Sequence, residues 1–80
     1  MGEESKLRWQ CRRGMRELDE LLVSYLENTY PEAGDKQKQA FRELLALPDP
    51  ELITYLLGDE TAEDHVIAGV VGQIRNRSQG

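Results

Sequence analysis

The chain has 80 residues, of which 39% are hydrophobic and 31% charged, and a formal net charge of −5. That length holds one small domain and leaves no room for separate substrate and cofactor domains, and apolar residues at regular spacing exclude a disordered polymer. The acidic balance argues against general nucleic-acid binding, which draws on a surplus of lysine and arginine.

In chain order, the opening M-G-E-E-S-K is acidic, unlike a signal or transit peptide, and Lys6 stands where a myristoylation motif wants serine or threonine. Ser5 is an N-cap for a first helix to about Arg13, with Leu7 and Cys11 four apart on one face and Gly14 ending it. Lys6, Arg8, Arg12, Arg13 and Arg16 make this segment basic against the acidic remainder. Met15, Leu18, Leu21, Leu22, Tyr25 and Leu26 then form the stripe of a second helix, which fades before Pro31. After a turn at Y-P-E-A-G-D, Asp35 caps a third helix carrying Ala40, Phe41, Leu44, Leu45 and Leu47, closed by Pro48.

Asp49 as N-cap and Pro50 as first helical residue open a short fourth helix through Leu52, Ile53, Leu56 and Leu57, which stops at Gly58 in a left-handed C-cap. Thr61 and Asp64 have the spacing of a capping box ahead of Val66, Ile67, Val70, Val71 and Ile74, the stripe of a fifth helix. Its Gly69 and Gly72 would allow close packing within the bundle or against another chain, the former being expected because the small core needs this helix's apolar face. The predicted fold is all-α: one domain over 1–80, a compact antiparallel bundle of about five short helices, frayed near 1–4 and 78–80.

Catalytic or ligand-binding constellations are not expected. The single Cys11 forms no internal disulfide and, with one histidine, no structural metal site, which fits a reducing compartment. Arg8 and Arg12 would favour its thiolate, but its place four residues from Leu7 reads as a small buried hydrophobe. His65 reads as a flank residue beside Glu63 and Asp64, and Asp59, Glu60, Glu63 and Asp64 as helix-start charges favoured by the macrodipole. Neither phosphate-binding glycine pattern occurs. No apolar run approaches the roughly 20 residues needed to span a bilayer, so a cytoplasmic protein without membrane insertion is expected.

Gly14 is different. A glycine inside a helical pattern costs roughly 1 kcal/mol relative to alanine, so it marks a break or a close backbone approach. Arg13, Arg16 and Glu17 around it read either as a solvated corner between helices or as an interaction edge. On the second reading, the planar fork of arginine beside an exposed backbone suits docking onto another protein, with Trp9 one turn earlier as an aromatic anchor or a core residue.

At Arg13-Gly14-Met15-Arg16-Glu17 the chain resembles the small succinate dehydrogenase assembly factors, or flavinylation factors, with their Arg-Gly-x-x-Glu motif. The resemblance takes in Trp9, Arg12, Leu18 and Asp19, then Tyr30, Phe41-x-x-Leu44-Leu45, Asp49-Pro50-Glu51-Leu52, Arg75 and Arg77. It departs at Tyr55-Leu56, where relatives often carry tryptophan before the leucine.

The resemblance implies a non-catalytic helper that binds the flavoprotein subunit of succinate dehydrogenase and promotes covalent attachment of FAD to a histidine of that subunit. Fumarate reductase is a further candidate client. FAD would belong to the client, and the helper would hold no cofactor stably. The implied partner-binding residues are Arg13, Gly14 and Glu17, with Arg16, Asp19, Trp9 and Arg12 nearby. A regulatory or antitoxin-like binding protein using the basic N-terminal segment is the alternative.

Overall fold

The apolar spacing of the second helix has a direct structural counterpart: Leu18, Leu22, Tyr25 and Leu26 all lie on one side of that helix with no solvent exposure. In the computed structural model, which describes residues 2–79 and the side chains of 2–76, the elements are α1 (Glu3–Gln10), α2 (Arg16–Asn28), a 3-10 turn (Tyr30–Glu32), α3 (Asp35–Leu45), α4 (Asp49–Leu56) and α5 (His65–Gln79). The described residues form helices and turns without strands, an all-α domain of five helices with a radius of gyration of 11.4 Å. The fraying expected over 78–80 concerns side chains, and at Gly80 a residue, that lie outside the described part, as does Met1.

α5 is the central brace, packing along both α2 and α3, while α1 lies against α2 and α3 and α4 against α5. Phe41 and Leu44 from α3, Leu52 from α4, and Val70 and Ile74 from α5 meet the α2 stripe in one core. The Phe41 ring sits between Tyr25 and Tyr30, with centroids 4.7 and 5.5 Å away and tilted planes, an arrangement favoured by the ring quadrupoles. The Tyr25 hydroxyl is buried in this core without a hydrogen bond among the described residues.

Helix ends depart from the sequence expectations where local polar chemistry differs from the motif. α1 starts at Glu3, ahead of Ser5, and its first turn carries Glu3 and Glu4, which suit the positive end of the helix. It ends at Gln10 in a tight turn in which the Cys11 amide donates to the Leu7 and Arg8 carbonyls. Gly34 rather than Asp35 is the N-cap of α3, its amide donating to Gln37 Oε1 at 2.9 Å. α4 is capped by Pro48, one position earlier than expected. Before α5, Asp64 itself is the cap: its Oδ1 accepts from the Val66 and Ile67 amides at 2.8 and 3.0 Å, so Thr61 stays outside the helix.

Two glycine expectations are corrected. Gly58 does not take the left-handed conformation, because only Gly14 among the described glycines has positive φ; Gly58 is needed for space, since a Cβ there would lie 2.6 Å from the Thr54 carbonyl oxygen. Gly69 and Gly72 do not serve close packing within the bundle, because a Cβ at either would meet nothing within 4 Å.

Two polar ties orient α1, which carries Trp9. Arg8 Nη1 donates to Glu27 Oε2 on α2 at 2.5 Å. Glu3 accepts from the Tyr30 hydroxyl and pairs with Arg42 at 3.5 Å, and Arg42 also donates to that hydroxyl at 3.1 Å. Such solvent-exposed pairs add little to stability, so attachment rests mainly on burial of Leu7 and Cys11.

Candidate functional site

The corner between α1 and α2, residues 11–15, is anchored from below by Cys11, fully buried, and by Met15, packed against the core. Between these anchors the chain turns outward at Gly14, whose φ of +84° is a conformation open to glycine at little cost and to other residues only with strain. Gly14 is exposed, and a Cβ added there would meet nothing within 4 Å. The break expected at this residue is therefore real, and the domain itself makes no close approach to it.

Asp19, one turn into α2, shapes the corner. Its Oδ1 accepts from the Arg13 amide at 2.7 Å and its Oδ2 from the Gly14 amide at 3.3 Å, so one carboxylate holds two successive peptide groups. The side chain of Arg13 runs the opposite way from the one expected of a docking fork. It is only 17% exposed. Its Nε donates to the Gln10 carbonyl at 2.9 Å, Nη1 to the Leu47 carbonyl at 3.4 Å and Asp49 Oδ1 at 3.2 Å, and Nη2 to the Leu45 carbonyl. Leu45 ends α3, where carbonyls lack helical partners and a cation is favoured, and Asp49 begins α4. Arg13 thus staples the corner to the α3–α4 junction.

The other motif residues face solvent. Trp9 is 77% exposed, which answers whether it is core or surface, and an isolated exposed tryptophan of this size is unusual on a small domain. Arg12 and Glu17 are exposed, and Arg16 is exposed but paired with Glu20 at 3.2 Å. Among the described residues no hydrogen bond or ion pair engages the side chains of Trp9, Arg12 or Glu17. Five of the seven residues singled out in the sequence are therefore exposed, while Arg13 and Asp19 are half-buried.

Glu17 also borders a groove of about 550 Å³ between α2, α4 and α5, lined further by Glu20, Leu21, Leu56, Leu57 and Arg75. Leu57 and Glu20 were not marked in the sequence as site residues. The signal for Leu57 was its position beyond the end of α4, where the apolar stripe overruns the helix that needs it.

Cys11 is buried, and burial pushes its thiol up to about 11 against the opposing influence of Arg13 and Arg8. The structure thus supports the buried-hydrophobe reading, since a protonated, inaccessible thiol is a poor nucleophile. Iodoacetamide at pH 8 should leave Cys11 unmodified in the folded chain and alkylate it in urea; equal rates by mass spectrometry would contradict the burial. Because the folded thiol keeps its proton to higher pH than the unfolded one, this contribution to stability is complete below about pH 9 and is lost as pH rises toward 11.

His65 is the exposed first residue of α5, and the described residues contain no group of three or more histidine, cysteine and acidic side chains placed to hold a metal. No described helix is long and apolar enough to cross a membrane.

Comparison with known proteins places this geometry in context. Residues 5–78 match the family described as flavinator of succinate dehydrogenase. The FAD assembly factor SdhE of Shewanella oneidensis is 40% identical, over 92% of this chain and 90% of its own length. The protein of that name from Methylococcus capsulatus is 40% identical over 94% and 90%, and that from Yersinia pestis 36% identical over 95% and 86%.

Proposed function

The chain belongs to the family of flavinators of succinate dehydrogenase, and from that premise we propose that it is an assembly factor that binds the flavoprotein subunit of the enzyme and promotes its covalent flavinylation with FAD. The corner at Gly14 carries the reading: it is open, left-handed and free of any neighbour within 4 Å of where a Cβ would stand. Another protein's backbone can approach a residue of that kind more closely than any other. Trp9 supplies rigid apolar contact area, and Arg12 and Glu17 supply unengaged charges of opposite sign for fixing orientation.

The factor is non-catalytic in this reading. It acts by favouring one conformation of its client: if the docking face fits the flavoprotein only when the flavin and the acceptor histidine are aligned, binding raises the population of that state and the client completes its own chemistry. FAD remains the client's cofactor. The setting is the cytoplasm, and the flavoprotein of fumarate reductase is a second client of the same chemistry.

Replacing Glu17 by alanine tests this face without disturbing the core, since Glu17 makes no tie within the described domain. Loss of a charge-assisted bond worth about 1.5–3 kcal/mol should weaken capture of the flavoprotein subunit by roughly 10- to 100-fold and lower its covalent flavin, read as in-gel fluorescence of the denatured subunit. Undiminished capture and flavin yield would remove Glu17 from the docking face.

A further inference from the structure

Building on that reading, we propose that Asp19 and Arg13 are positioning residues, which hold the docking corner in its left-handed shape. The amides of Arg13 and Gly14, the two peptide groups at the apex, both donate to the Asp19 carboxylate. A left-handed glycine is the most conformationally permissive point a chain can have, and this one has no packing contact to restrain it. The carboxylate replaces the missing packing. It pins the outgoing limb of the corner to α2, while the guanidinium of Arg13 pins the incoming limb to the Leu45 and Leu47 carbonyls and to Asp49.

The corner between Arg12 and Glu17 is thereby shaped before any partner arrives, so association does not have to order it first. One consequence is not local: Asp49, on a different helix and 36 positions from Arg13, becomes a determinant of docking.

The experiment combines amide hydrogen exchange with capture of the flavoprotein subunit, using the full chain. In Asp19→Ala, the Gly14 and Arg13 amides should lose protection while those of Leu22 and Val70 keep theirs, and capture should fall about tenfold. Asp19→Asn, with one oxygen still able to accept, should recover part of both. Asp49→Ala, which removes one acceptor of the Arg13 guanidinium and leaves the corner's own residues intact, should speed exchange at Gly14 and weaken capture several-fold. Arg12→Ala should weaken capture with Gly14 exchange unchanged.

Protected Gly14 in Asp19→Ala would overturn the clamp, and released Gly14 with undiminished capture would overturn its role in docking. Should Asp19→Ala fail to fold, the same two outcomes read in Asp19→Asn decide the matter, because its single remaining acceptor oxygen cannot hold both amides. If the unaltered chain captures no flavoprotein, the functional reading fails, whereas the exchange data still decide the clamp.

Discussion

Gly14→Val should abolish capture of the flavoprotein subunit while leaving a folded domain. At φ +84° a non-glycine residue carries a strain of about 1–2 kcal/mol, more for a β-branched one. A domain of this length has roughly 4–12 kcal/mol of stability, so folding survives with a melting temperature lowered by about 5–15 °C. Apart from its chain neighbours, no atom of the described residues lies within 4 Å of the new Cβ, so lost capture would come from obstruction or reshaping of the face and not from an internal clash.

Gly14→Asn separates those two causes. Asparagine enters the left-handed region with much less strain, so its melting temperature should stay near that of the unaltered chain. Its side chain still projects from the apex, and capture should fall by more than tenfold. If the asparagine variant bound as tightly as the unaltered chain by calorimetry, the apex would not be the contact surface.

The largest effect on stability is expected from Phe41→Ala. Phe41 is completely buried and stacks against Tyr25 and Tyr30 at centroid distances of 4.7 and 5.5 Å. Truncation of such a ring removes its transfer free energy and leaves a cavity, about 3–5 kcal/mol together. That is a large part of the whole stability of so short a chain, and few contacts remain to spread the loss. Circular dichroism should show the melting temperature falling by about 15 °C or more, with some unfolded chain already present at 37 °C. A fall of only a few degrees would mean that the Phe41 ring is not the centre of the core.

The sequence alone carried the helices, because an apolar stripe is local information. Leu18, Leu22, Tyr25 and Leu26 mark a buried face whatever they pack on. The corner was legible for the same reason, as a glycine interrupting a helical pattern implies a break there. Helix starts were less legible: Asp64 and Gly34 are caps by virtue of single hydrogen-bonding geometries that neighbouring residues matched equally well on paper. The unused space beside Gly69 and Gly72 could not be read at all, since a missing side chain gives no sign of what stands opposite it.

Composition and periodicity by themselves thus determined that this is a small all-helical domain with a glycine-centred corner between its first two helices. Only the tertiary structure decided which motif residues look outward. Trp9 emerges as surface, and Arg13, which has the chemistry of a docking residue, is turned onto acceptors 32, 34 and 36 positions away. The direction of a long charged side chain is set by whichever unsatisfied carbonyls folding brings within reach, and those lie at the end of another helix, beyond what local spacing encodes.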